Sequence, residues 1–249
     1  MGLILELNNV NKRFGGVVAA NNVNFEVEKG KIKGLIGPNG AGKTTLLNLI
    51  SGIYDVDDGK IIFDGQDVTN VPAHKRARMG IGRTFQTPRF LDRSSIEDNL
   101  KLGTDLFDQM GYINSFFGKK GSDYQHELED LMEIVGFEVN WDDEISSIPY
   151  GQRKMLEIVR CLLSYPKVML VDEPAAGLNK MEIERVVDLL NLGISRDIGI
   201  VLIEHRMDLV MSVCSSITVL NFGQVICDSI PEEVVNNEEV IEAYLGRQD

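Results

Sequence analysis

The stretch Gly37, Pro38, Asn39, Gly40, Ala41, Gly42, Lys43, Thr44, Thr45 carries the most definite chemistry in this 249-residue chain, and it directly follows the apolar run 32–36. It fits G-x-x-x-x-G-K-[ST], a phosphate-binding loop set between a strand and a helix. Glycines let successive backbone N–H groups curl around an anion, because side chains there would block the approach and oppose positive φ. A helix predicted to start near Lys43 turns the positive end of its dipole toward the same point. Lys43 is then expected to reach the β- and γ-phosphates of a nucleotide, and the Thr44 hydroxyl to take one position on Mg²⁺. Leu46, Leu47, Leu49 and Ile50 follow at the spacing of a buried helix, which argues against a coincidental match.

Residues 168–173, VMLVDE, form an apolar run that ends in two carboxylates. An acid at the end of a strand beside the phosphate loop can hold Mg²⁺ through water, and Asp172 fits that role. Hydrolysis also needs a carboxylate to orient or deprotonate the attacking water, and Glu173 is the candidate base. Strands ending in solvated acids are common; the phosphate loop upstream is what makes these two functional candidates. His205 closes a second apolar run, 199–203, which places it on the ligand side of an open α/β sheet. Taken alone, such a histidine is more often structural than catalytic.

The elements that must position these residues read as follows. Residues 3–7, 23–27 and 61–63 alternate like strands, with 28–30 and 57–59 as turns, and 81–86 is a further extended candidate. From about 92 to 165 helical spacing replaces strand patterns, interrupted by a glycine- and aromatic-containing segment at 110–122 expected to form a loop or short helices. The continuous apolar runs 168–171 and 199–203 suit a parallel sheet covered on both faces, and the helix predicted over 182–192 joins them as a βαβ crossover. Residues 216–220 and 223–227 read as a hairpin, and an acidic helix at about 238–245 follows. The result is an α/β nucleotide-binding core with a helical insertion.

The chain is long enough for a full core, and its net charge of −13 repels polyphosphate and anionic lipid, so nucleic acid is not expected as a partner. The three cysteines, Cys161, Cys214 and Cys227, show no C-x-x-C spacing and are expected to be reduced thiols rather than metal ligands. No apolar run reaches membrane-span length and the N-terminus lacks a basic n-region, so a cytoplasmic protein is expected, docking onto another chain if it acts at a membrane.

The phosphate loop, Gln86 in TFQTP, Tyr150-Gly151-Gln152 ahead of an arginine-bearing helix, LVDEP, AGLN and Glu204-His205 occur in one order. On these motifs the chain resembles the ATP-binding subunit of ABC transporters over essentially its full length. The resemblance implies a P-loop NTPase (RecA-like) core at 1–91 and 162–249, with an N-terminal antiparallel β subdomain and an inserted helical subdomain at 92–161. It implies that Gln86 senses Mg²⁺ and the γ-phosphate, that His205 contacts the γ-phosphate, and that the ring of Phe14 stacks on adenine. Residues 148–152, with Tyr150, Gly151 and Gln152, would be the signature that closes on a partner's ATP, and 176–179 the D-loop. IGRTFQTPRF, Tyr150, AAGLN and EAYLG look like the LivG type, an ATPase subunit of branched-chain amino acid importers; amide or urea importers and lipopolysaccharide-export ATPases share much of this pattern.

Two positions depart from the family: Pro149 replaces a signature serine, losing its hydroxyl and N–H, and Asn179 stands where aspartate is more usual. The implied partners are a second ATP-binding subunit, like or unlike this one, two membrane permeases, and indirectly an extracytoplasmic binding protein. Phe90, Leu91, Tyr112, Phe116 and Phe117 are candidates to line the groove that meets the permeases, or else belong to the helical subdomain's core. The resemblance thus implies an importer ATPase at the inner face of the cell membrane. A soluble DNA- or ribosome-acting ATPase, or an assembly scaffold such as those of iron–sulfur cluster assembly, is the competing class.

Overall fold

The computed structural model describes residues 2–102 and 119–245; Tyr112, Phe116 and Phe117 lie outside the described residues. β1 (Leu3–Phe14) and β2 (Val17–Glu28) form a hairpin, and β3 (Ile32–Ile36) leads through the glycine-rich loop into α1 (Lys43–Ile50). β4 (Asp58–Phe63), β5 (Gln66–Asp67), α2 (Ala73–Met79) and β6 (Ile81–Arg83) follow. Then come α3 (Ile96–Lys101), α4 (Lys119–Val135) and α5 (Tyr150–Leu163). The last third holds β7 (Val168–Asp172), α6 (Lys180–Ser195), β8 (Gly199–Ile203) and α7 (Met207–Val213), the hairpin β9 (Ser216–Asn221) and β10 (Gln224–Ser229), α8 (Pro231–Val234) and α9 (Glu238–Leu245).

An antiparallel sheet runs in the order β2-β1-β4-β5, and a larger sheet in the order β10-β9-β3-β8-β7-β6, parallel except for its β9–β10 edge. The continuous apolar runs of β7 and β8 face two cores in alternation. Val168, Leu170, Val201 and Ile203 pack toward the antiparallel sheet and α1. Met169, Val171, Ile200 and Leu202 pack toward the side carrying α4, α5 and α6. Burial on both faces is why these strands carry no polar alternation. β7, α6 and β8 form the expected parallel crossover.

Several boundaries differ from the sequence reading. β1 and β2 run well past their apolar cores to the pair Phe14–Val17, because backbone pairing continues through register shifts where side chains need no burial. Asp58 and Gly59, read as turn residues, lie inside β4. Gly59 has φ +94, and a Cβ there would sit 2.4 Å from the Asn9 carbonyl oxygen, so this glycine lets two strands close on each other at a bulge. The extended segment after α2 ends at Arg83, although Thr84 N–H still donates to Leu170 at 2.9 Å. Lys119–Ser122 fall inside α4 rather than a loop.

Candidate functional site

The glycine-rich loop leaves β3 at the carboxyl edge of the parallel sheet, and α1 begins at Lys43. Gly42 precedes it with φ +108, where a Cβ would stand 2.4 Å from the Ala19 carbonyl oxygen; Gly37 would collide likewise with Leu220. These two glycines therefore let the loop pack directly against the backbone of β2 and β9. The turn between β9 and β10 braces it, Gly223 N–H donating to Ala41 at 2.8 Å. Thr44 is exposed and Thr45 half-buried, while Lys43 is buried and donates to the carbonyls of Gly37 (2.7 Å) and Pro38 (3.0 Å). Burial pulls its ammonium below the usual lysine range, against the opposing pull of Glu173 and Asp172. A desolvated cation beside a glycine-rich loop is suited to an anion such as phosphate.

Asp172 ends β7, which is the second neighbour of β3 rather than its first, because β8 lies between them. Burial pushes the Asp172 carboxyl above its ordinary range, partly countered by Arg83. The Thr44 hydroxyl, the Gln86 side-chain carbonyl and the Asp172 carboxylate are all hard oxygen donors, a set that fits Mg²⁺.

Glu173 stands just beyond β7 with φ +48, and its N–H continues the β7–β8 ladder to Ile203 at 2.9 Å. One carboxylate oxygen accepts from Gln86 Nε2 and the other from His205 Nε2, both at 2.9 Å. Since a carboxylate only accepts, Nε2 is the protonated nitrogen of His205. Three residues that are distant in sequence thus share one point at the edge of the sheet. Glu204, beside His205, is buried and accepts from Ala175 N–H at 2.7 Å, tying the end of β8 to the segment after Glu173.

Tyr150 opens α5, with Oη donating to the Gln86 carbonyl at 3.2 Å. A Cβ on Gly177 would meet its ring at 3.6 Å, and one on Gly151 would collide with Glu182. The contacts of Tyr150 and Gly151 are thus with the Gln86 and 176–182 segments of the same chain rather than with its glycine-rich loop. Gln152 is half-buried in the first turn of α5. Pro149 is the N-cap of that helix and supplies no side-chain cap. Asn179 caps α6 in a reciprocal box, accepting from Glu182 N–H at 3.0 Å while Glu182 accepts from its N–H at 2.8 Å. The amide in place of aspartate is thus itself a favoured cap.

Phe14 lies at the turn of the β1–β2 hairpin, 43% exposed, edge-on to Tyr54 with centroids 5.2 Å apart. It is not a core residue. Phe90 packs partly buried beneath the Arg160 guanidinium, 4.5 Å from its ring, and Leu91 is exposed. Neither lines the nearby groove of about 630 Å³, whose wall includes Ile53, His74, Arg78, Phe85, Arg160 and Tyr165. The aromatics on that wall are Phe85, one residue before Gln86, and Tyr165. Sequence reasoning also passed over Lys154 and Glu157, both buried on α5. Their spacing from Tyr150 was the available signal.

The family described as ABC transporter matches residues 20–176, and that described as branched-chain amino acid ATP-binding cassette transporter matches 224–249. The chain is similar to a probable branched-chain amino acid transport ATP-binding protein, LivG, of Archaeoglobus fulgidus, at 38% identity over 99% of this chain and 96% of that protein. It is 38% identical to the high-affinity LivG of Escherichia coli K12, with 98% of each chain covered. Among solved structures it is similar to the ADP conformation of an ATP-binding cassette of an ABC transporter, with a TM-score of 0.84 and 30% identity, covering 99% of this chain and all of that one. A nucleotide-free cassette matches at a TM-score of 0.83, 30% identity and the same coverage.

Proposed function

The chain belongs to the ABC transporter family of ATP-binding cassettes, and from that premise we propose that it is the energy-coupling ATPase subunit of an importer of branched-chain amino acids. The observation that carries the catalytic part is the convergence of Gln86 and His205 on the two carboxylate oxygens of Glu173, one residue past Asp172. The cargo reading is supported by the near-full-length relatives and by the C-terminal match at 224–249.

In this reading ATP enters with its adenine on the exposed ring of Phe14 and its phosphates along 37–45. Lys43 exchanges its two loop carbonyls for the β- and γ-phosphates. Thr44, Gln86 and Asp172 would hold Mg²⁺, which would supply positive charge to the phosphate oxygens. Glu173 accepts the proton of the attacking water, and His205 turns its Nε2–H toward the γ-phosphate. Each oxygen of Glu173 accepts one side-chain hydrogen bond within the chain and keeps a second acceptor site, which the attacking water takes.

Tyr150, Gly151 and Gln152 close on the ATP of a second ATP-binding subunit, and the helical segment 92–161 moves with them relative to the core at 1–91 and 162–249. The groove beside Phe85 receives two membrane permeases, which an extracytoplasmic binding protein supplies with cargo. Among the described residues no helix is long and apolar enough to cross a membrane. In this reading the permeases hold the subunit at the inner face of the membrane.

The test is co-purification followed by uptake. The full chain should draw out an integral membrane complex, and vesicles containing it should accumulate leucine, isoleucine or valine when ATP is supplied. Accumulation of urea or short amides instead, or purification with no membrane chain, overturns the reading.

A further inference from the structure

Tyr150, Lys154 and Glu157 recur at i, i+4 and i+7 and so share one stripe of α5. Lys154 is 3% exposed and Glu157 2%, an uncommon state for charged side chains, which lose hydration on burial. The Lys154 ammonium donates to the backbone carbonyl of Glu173 at 2.5 Å. Glu173 needs such an anchor: its φ of +48 is costly for a residue with a side chain and persists only when neighbours hold it. Its N–H donates to Ile203, and its carbonyl accepts from Lys154 and, at a longer 3.3 Å, from Ala176 N–H, so both of its backbone polar groups are pinned, the carbonyl most closely by Lys154.

The same stripe holds the other partner. Glu157 accepts from Phe85 N–H at 3.3 Å and Arg89 N–H at 3.2 Å, one on each side of Gln86, and Tyr150 Oη holds the Gln86 carbonyl. One face of α5 therefore fixes both ends of the Gln86–Glu173 hydrogen bond.

We propose that Lys154 is a positioning residue for ATP hydrolysis: it holds the Glu173 backbone in its left-handed turn so that the carboxylate faces Gln86 and His205, while Glu157 and Tyr150 place Gln86 to meet it. The proposal rests on Glu173 being the base. It gives the helix that carries the signature a direct grip, within one chain, on the group that activates water.

The test uses the complex that co-purifies with the full chain, comparing wild type, Lys154→Met, Lys154→Gln, Glu173→Gln and the double variant Lys154→Met/Glu173→Gln. Steady-state kcat and KM for ATP and the thermal midpoint are measured for each. Lys154→Met should lower kcat at least tenfold with KM within twofold, and Lys154→Gln, whose amide still donates, should recover part of that loss. In the Glu173→Gln background, Lys154→Met should lower the residual rate no further, since it acts through Glu173. Should Lys154→Met fail to fold, Lys154→Gln decides, with at least a threefold fall in kcat at unchanged KM expected. A smaller fall overturns the proposal, as does a kcat loss matched by an equal loss of ATP affinity, or additive effects in the double variant. Wild-type turnover by Glu173→Gln would instead overturn Glu173 as the base, and is read independently of the Lys154 single variants.

Discussion

Two loops leave the same edge of the parallel sheet and are held in opposite ways. The loop after β3 is tied by side-chain bonds from its own residue, Lys43 to Gly37 and Pro38, with one backbone brace from Gly223 and glycines that fit it against Ala19 and Leu220. Beyond β7, Glu173 is held by Gln86, Lys154 and His205, from three separate segments. A loop closed by near neighbours keeps its shape when the rest of the molecule shifts. A carboxylate placed by distant segments responds to any of them, which suits a base that must be gated.

That contrast breaks most sharply if the chemistry of the second loop is removed alone. Glu173→Gln should lower ATP hydrolysis by roughly 10²–10⁴-fold while leaving ATP affinity within a few-fold, as the amide cannot take the water's proton; unchanged steady-state turnover in the assembled complex would contradict this. The complementary change, Lys43→Ala, removes charge-assisted contacts worth about 1.5–3 kcal/mol each. It should weaken ATP binding by calorimetry roughly 10²–10⁴-fold with little effect on folding. Equal affinity in variant and wild type would remove Lys43 from the site.

Glu157 sharpens the comparison through pH. Burial raises its carboxyl from an ordinary 4.5 to about 7, despite the N–H groups of Arg89 and Phe85 and the nearby cations. The folded state therefore binds this proton more tightly than the unfolded chain. Its contribution to stability is full below the unfolded value and is lost as pH rises through about 7. Glu157→Gln has no such loss and should gain on wild type by roughly 2–3 kcal/mol between pH 5 and 8 in denaturant unfolding. A pH-independent difference would mean the carboxyl is not desolvated. A smaller effect belongs to the cap of α6: Asn179→Ala should cost about 1 kcal/mol, seen as a fall of roughly 2–4 °C in the thermal midpoint.

The smallest effect concerns Pro149, which under the proposed function would deny a partner's ATP the hydroxyl and N–H of a serine. With an unlike partner subunit the two ATP sites then differ, the one containing this chain's Lys43 and Glu173 carrying most of the turnover. Pro149→Ser should raise the activity of the pair by roughly threefold, as restored charge-assisted hydrogen bonds partly replace those that Gly151 and Gln152 already offer. No change, or turnover carried by the partner's carboxylate, would mean that the sites do not differ in this way.

What the sequence determined by itself was whatever near neighbours decide. The phosphate loop, the doubly buried runs of β7 and β8, the crossover between them and the β9–β10 hairpin follow from residue types a few positions apart, whose contacts close within a turn or along a strand. Asp172, Glu173 and His205 were legible as residues at strand ends. Only the tertiary structure decided that β8 separates β7 from β3, that Gly59 lies inside a strand, and that Phe85 lines the groove beside α2. It alone buried Lys154 and Glu157 against the Glu173 and Gln86 segments. Strand order and helix packing are set by the summed burial of side chains far apart in the chain, and no local spacing records which loop a given polar side chain will meet.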